Sequence, residues 1–146
     1  MNLEKINSKH IQKCFILDST TLKMWTIDQW KEEIENPNNF AFGIFNNNNL
    51  IGLCVHQKIL NEVEVHFLTV HREYRRRGFA KKLIRNIIVM CERNRIDRII
   101  LEVSKKNQPA IQFYKTFGFR TIGLRRKYYR DGSDAVLKEK KCKQIK

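Results

Sequence analysis

No run of about 18 consecutive apolar residues occurs anywhere in the 146-residue chain, which leaves out a membrane-spanning helix. Met1 to His10 is polar and has neither an apolar stretch nor a small-residue cleavage site, so no secretory signal is expected and the cytoplasm is the expected address. Cysteine is sparse and scattered. Cys14, Cys54, Cys91 and Cys142 form no C-x-x-C pair, and three of them have apolar neighbours, which suits reduced thiols better than disulfides or a zinc site. His10, His56, His66 and His71 lack the H-E-x-x-H spacing, so no metal is expected. Neither G-x-x-x-x-G-K-[ST] nor G-x-G-x-x-G is present, which excludes a nucleotide P-loop and a dinucleotide fingerprint. Linkers and internal repeats are missing as well, and proline occurs only twice.

Acidic residues are few beside the basic ones: 15 Asp and Glu against 29 Lys and Arg give a net charge of +14. Such a balance attracts polyanions, including ribosomal RNA or a phosphate-rich cosubstrate. Thirteen asparagines and abundant isoleucine fit a second reading, compositional drift that enriches Lys and Asn on solvated faces, and the two stay open side by side. With 42% apolar residues the chain can bury a core, and its length fits one domain spanning 1–146, with a frayed basic tail expected from Lys138 to Lys146.

Periodicity predicts the order αα-βββ-α-β-α-ββ. One helix runs through Ile11, Cys14 and Leu17. A second runs from a Thr26 cap to Ile34. Phe40–Phe45 and Leu50–Leu60 read as strands around the Asn46–Asn49 loop, since asparagine tolerates the left-handed conformations of tight turns. Glu62 to Phe67 alternates with period two before Leu68-Thr69-Val70, which places His66 on the polar face. Ala80, Leu83, Ile84, Ile87, Ile88 and Cys91 recur at helical spacing. Arg98–Val103 is a strand, Asn107 caps a helix that Gly118 stops, and Phe119–Leu124 and Ala135–Leu137 are the last strands. The strand–helix–strand unit from Glu64 to Val103 requires a right-handed crossover and therefore a parallel pair in a mixed α/β fold.

The chemistry begins between Val70 and the helix after it. The turn Arg75-Arg76-Arg77-Gly78-Phe79-Ala80 combines a helix N-terminus, small residues and arginines, which together make an anion cradle. Arg75 to Ala80 reads R-x-x-G-x-A; further on come Leu101-Glu102-Val103, Asn107, Ala110-Ile111-Gln112-Phe113-Tyr114 and Phe117-Gly118-Phe119. With Tyr128-Tyr129 and Asp131-Gly132-Ser133-Asp134-Ala135 after them, these motifs resemble the GNAT superfamily of acetyl-CoA-dependent N-acetyltransferases over nearly the whole chain. The spacing is most similar to the branch that acetylates the N-terminal alanine of ribosomal proteins, and the catalytic subunits of eukaryotic and archaeal N-terminal acetyltransferases share much of it.

That resemblance implies a mixed sheet whose parallel strands splay around acetyl-CoA, with helices on both faces. It implies that Leu68, Thr69 and Val70 hold the pantetheine arm and acetyl carbonyl, that Arg76, Arg77, Gly78, Phe79, Ala80 and Lys81 hold the pyrophosphate, and that Asn107 touches the cosubstrate. Glu102 becomes the general base and Tyr114 the general acid. Trp25 and Tyr129 become acceptor contacts, although Lys23-Met24 replaces the Phe-Pro of the family's F-P-W-S segment. The residue types suit the reaction: an α-amine with a pKa near 8 must lose a proton before it attacks a thioester, and a thiolate leaves more readily beside a proton donor. From the residues alone, Glu102 is either that base or a surface glutamate on an open face, and Tyr114 either the acid or a core tyrosine. His66, near the implied acetyl site, is a second base or an ordinary strand histidine. The implied partner is the N-terminus of a small-subunit ribosomal protein. Alternative acceptors are a lysine side chain or a small amine, and a non-catalytic RNA-binding module is the competing class.

Overall fold

In the computed structural model, which describes residues 1–143, seven strands form one sheet in the order β1-β2-β3-β4-β5-β7-β6. The strands are β1 (Leu3–Lys5), β2 (Asn39–Asn46), β3 (Asn49–Ile59), β4 (Glu62–Val70), β5 (Arg98–Ser104), β6 (Arg120–Arg125) and β7 (Ala135–Lys141). Helices α1 (Ile11–Ser19) and α2 (Ile27–Glu35) cover one face, while α3 (Phe79–Arg93) and α4 (Gln108–Thr116) cover the other. Local chemistry explains these boundaries. Thr26 accepts from Gln29 N–H and the Gln29 side chain returns a bond to Thr26 N–H, a reciprocal cap that starts α2. Asn47, with φ 56°, closes the β2–β3 hairpin in the left-handed conformation that asparagine tolerates.

Two apolar clusters follow from the two covered faces. Beneath α3 and α4 lie Val63, Val65, Leu83, Ile84, Ile87, Ile99, Leu101 and Val103. Beneath α1 and α2 lie Cys14, Leu17, Trp30, Leu53, Val55 and Phe67. Val65 and Phe67 belong to opposite clusters although they are two residues apart, which strict strand alternation forbids. The reason is a bulge: Val55 pairs with Phe67 and His56 with Val65, so His66 is the extra residue of β4.

β4 and β5 are the parallel pair, in register from Glu62 opposite Arg98 to Val65 opposite Leu101. There the pairing stops. Among the described residues, Phe67–Val70 and Val103–Ser104 have no strand partner on their facing edges, so the sheet opens as a wedge at its centre. No helix among the described residues is long and apolar enough to cross a membrane, and all four cysteines are free.

Two expectations are corrected. A three-residue strand, β1, pairs with β2 through Glu4 opposite Gly43, although Leu3-Glu4-Lys5 carries no strand pattern of its own. The tail expected to fray from Lys138 is instead β7 as far as Lys141, pairing with β5 on one side and β6 on the other. Two of its charged side chains are held in place: Glu139 accepts from Arg98 and Arg120, and the buried Lys138 donates to Thr121 Oγ1. Residues 144–146 of that expected tail lie outside the described residues.

Candidate active site

A cleft of about 670 Å³ opens at the wedge, walled by β4 from Val65 to Leu68, by β5 from Leu101 to Ser104, by Asn107, Ala110 and Tyr114, and by the segment around Tyr128–Asp131. Leu22, Lys23 and Met24 form its lip. In β5, Ile99, Leu101 and Val103 point into the cluster beneath α3 and α4, so Glu102 points to the other face, into the cleft. It is not a loose surface carboxylate. Its Oε1 lies 3.1 Å from Arg125 Nε, its side chain is only 19% exposed, and the Arg125 guanidinium sits over the Tyr128 ring.

Tyr114 lies within the apolar cluster and also lines the cleft. Burial first, then the neighbouring Cys54 and Tyr129, raises its hydroxyl well above the ordinary range, so it stays protonated at physiological pH. Burial pushes Tyr129 up to about 12, with the Glu102 carboxylate adding to the shift. Tyr128, more exposed, is raised mainly by Glu102. All three phenols are raised, and the Glu102 carboxylate contributes to the shifts of Tyr128 and Tyr129.

The anion turn is built separately from the cleft. Gly78 is the residue before α3, with φ 85° in the left-handed region, and a Cβ there would meet nothing within 4 Å. The backbone dihedral, not crowding, is what favours glycine there. Arg76 is left-handed too, at φ 62°. Arg75 Nε donates to Val70 O and the Arg77 guanidinium stacks on Tyr74, which fixes the turn to the end of β4. The first turn of α3 contains no acid; it carries Lys81 and Lys82 where the helix dipole would otherwise favour carboxylates.

Of the residues singled out from the sequence, the structure brings Leu68, Glu102, Asn107, Tyr114 and Tyr129 together in the cleft. Thr69 and Val70 are buried behind it, and Arg76, Arg77, Gly78, Phe79, Ala80 and Lys81 form the adjoining turn. The Asn107 side chain caps α4 by accepting from Ala110 N–H. Trp25 is not brought to the cleft. Its ring packs edge-on against Trp30 and beside Phe67 in the cluster beneath α1 and α2, and the lip is made by the three residues before it.

Sequence reasoning passed over the residue responsible. The buried Asp18 accepts from Met24 N–H and Trp25 N–H and from Trp30 Nε1–H, each at 2.9 Å, and so pins the lip to α1 and α2. Arg125 and Glu33 were also missed: Glu33 Oε2 lies 3.0 Å from His66 Nδ1 in the cleft wall. A polar residue on a helix or strand carries no signal of a partner this distant in the chain.

A wedge between parallel strands, a basic left-handed turn and a carboxylate opposite a buried phenol define an acyltransferase architecture. The sequence profile of the acetyltransferase (GNAT) family matches residues 8–119, and the chain belongs to that family; it is an acetyltransferase. A provisionally named ribosomal protein bS18-alanine N-acetyltransferase of Bacillus subtilis is 31% identical over 139 residues, covering 94% of this chain and 89% of the relative. The crystal structure of the ribosomal-protein-S18-alanine N-acetyltransferase from Escherichia coli superposes with a TM-score of 0.91 at 20% identity, over 99% of this chain and 96% of that one. Arabidopsis thaliana NAA60 in complex with acetyl-CoA superposes with a TM-score of 0.88 at 18% identity, over 96% and 97% of the two chains.

Proposed function

We propose that this chain transfers acetyl from acetyl-CoA to the α-amine of a protein N-terminus, with the N-terminal alanine of a small-subunit ribosomal protein, bS18 or its equivalent, as acceptor. The observation that carries the reading is the carboxylate of Glu102 on one wall of the wedge with the protonated Tyr114 hydroxyl on another. The name of the Bacillus relative supports the choice of acceptor.

In this reading the diphosphate of acetyl-CoA lies on the turn Arg76–Lys81, and its pantetheine arm runs along the unpaired edge of Leu68, Thr69 and Val70. Asn107 contacts the cosubstrate from the start of α4. Glu102 removes a proton from the amine, whose nitrogen then attacks the thioester carbonyl; the C–S bond breaks and Tyr114 delivers a proton to the departing sulfur. Tyr129 holds the first residue of the acceptor, and Leu22, Lys23 and Met24 take the place first assigned to Trp25. The enzyme works in the cytoplasm, and its +14 charge favours approach to ribosomal RNA.

Acetyl-CoA turnover against short peptides that differ in their first residue tests the reading. Alanine-first peptides from ribosomal protein N-termini should give the highest kcat/KM. Equal or faster acetylation of lysine side chains or small amines would overturn it.

A further inference from the structure

Starting from an ammonium group, the nitrogen loses two protons on becoming an amide. One ends on the departing sulfur. The other leaves the protein, and Glu102 with Tyr114 accounts only for the first.

From these positions we infer that His66 and Glu33 form a relay that carries the second proton out of the cleft, an inference that rests on the acetyl-transfer reading of the same cleft. His66 is the extra residue of the β4 bulge, and bulges re-aim side chains. It lines the cleft on the strand that faces Glu102 across the wedge. On its other side, Nδ1 meets Glu33 Oε2 at 3.0 Å. Glu33 is held by Asn39, whose Nδ2 donates both to Glu33 Oε2 and to Glu33 O at 2.9 Å.

Glu33 and Asn39 line a second cavity of about 250 Å³ between α2 and β1–β2, which shares no wall residue with the cleft. The buried Asn39 Oδ1 has no partner among the described residues, and a polar wall of that kind holds water. His66 therefore touches one cavity and its carboxylate partner the other. The neutral ring donates Nδ1–H to Glu33 and keeps Nε2 as acceptor. A proton taken at Nε2 releases the Nδ1 proton to Glu33 Oε2, and Glu33 gives it to water in the second cavity. The ring is left neutral with its proton on Nε2, and exchange of its ring protons with water after product release restores the Nδ1–H form for the next turnover.

Charged and titratable neighbours set the direction of the pH response. Glu33 from α2, through its hydrogen bond, outweighs burial and raises the His66 pKa, with Glu64 of β4 adding to it. His56 from β3 is a further neighbour, while Lys23, Glu102 and the two tyrosines Tyr128 and Tyr129 stand around the cleft. Only neutral His66 accepts a proton, so turnover rises with pH through the His66 pKa. Removing the Glu33 charge lowers that pKa.

The test is the pH profile of kcat for the full chain with saturating acetyl-CoA and its preferred peptide, measured for wild type, Glu33→Gln, His66→Gln and Glu102→Gln, with NMR titration of the His66 ring alongside. Glu33→Gln should move both the acid limb and the ring titration down by roughly one pH unit or more, the scale of a close charge partner. His66→Gln should abolish that limb and lower kcat by roughly 10²-fold, the lower end of acid–base assistance. An acid limb at the wild-type position in both variants would overturn the relay, while Glu102→Gln still losing turnover would keep the acetyl-transfer reading standing. A Glu102→Gln enzyme with wild-type turnover would overturn that reading instead. A ring titration that is unchanged in Glu33→Gln overturns the relay whatever the activity.

Discussion

Replacing Asp18 by asparagine keeps the shape of the side chain and removes one acceptor oxygen and its charge. The carboxylate serves three donors: Met24 N–H on Oδ1, and Trp25 N–H and Trp30 Nε1–H on Oδ2. If the amide oxygen of the variant keeps the two tryptophan donors, its NH2 faces Met24 N–H and that bond is lost. Hydrogen bonds to charged groups contribute about 1.5–3 kcal/mol each, so losing one and weakening two costs roughly 2–4 kcal/mol. For a chain near 150 residues each kcal/mol lowers Tm by about 3 °C, which predicts a fall of roughly 6–12 °C. The lip residues Leu22–Met24 shift with the lost anchor, while the turn before α3 has no contact with Asp18. Thermal unfolding followed by circular dichroism should give the Tm change. Kinetics well below the transition should show a several-fold rise in peptide KM with unchanged acetyl-CoA affinity. A Tm within about 2 °C of wild type, or equal loss of affinity for both substrates, would refute Asp18 as the anchor of the lip.

Glu102→Gln should lower kcat by roughly 10²–10⁴-fold and recover part of it at high pH, where the amine is already neutral; parallel profiles for Glu102→Gln and Tyr114→Phe would mean the roles are misassigned. Tyr114→Phe should lose turnover without alkaline rescue, because alkali supplies no proton to the departing sulfur. Gly78→Val should remain folded, since its side chain meets open space, yet a β-branched residue at φ 85° distorts the turn; calorimetry should show acetyl-CoA affinity falling at least roughly tenfold, and unchanged affinity refutes the cradle. His56 is held at about 4 against its ordinary 6.5, first by burial and then by His66. The unfolded chain therefore binds the extra proton first, and stability present above pH 6.5 is lost as pH falls toward 4, by up to about 3 kcal/mol. Urea midpoints across that window should fall less in His56→Phe, and an identical slope would count against the assignment.

Much of the fold was legible because its signals are local. The stripe Leu83, Ile84, Ile87 and Cys91 predicts α3, and it is the buried face of α3. Alternation in Arg98–Val103 places Glu102 opposite Leu101 and Val103, where the structure has it. What was not legible depends on partners far along the chain. The run Lys138 to Lys141 reads as a loose basic tail until Arg98, Arg120 and Thr121 are seen to engage Glu139 and Lys138. The inward turn of Trp25 depends on Asp18 and Phe67, and the Glu33 partner of His66 depends on α2 crossing β4. Period-two counting also fails at His66, because a bulge leaves the composition of a strand unchanged while reversing its faces.

The wedge gives this chain a place where a bound ligand can add to its stability. A sheet that stops pairing at Val65 and Leu101 leaves backbone donors and acceptors at its centre for a ligand to satisfy. On the proposed reading, an amide-bearing arm laid along that edge acts as a temporary strand, present only while the cosubstrate is bound. Binding to the folded chain alone adds RT ln(1 + [L]/Kd), about 2.7 kcal/mol at a hundredfold excess over Kd. That is a large share of the 5–15 kcal/mol that holds a typical domain together. On the proposed reading, the folded chain is therefore more stable where acetyl-CoA is plentiful than where it is scarce.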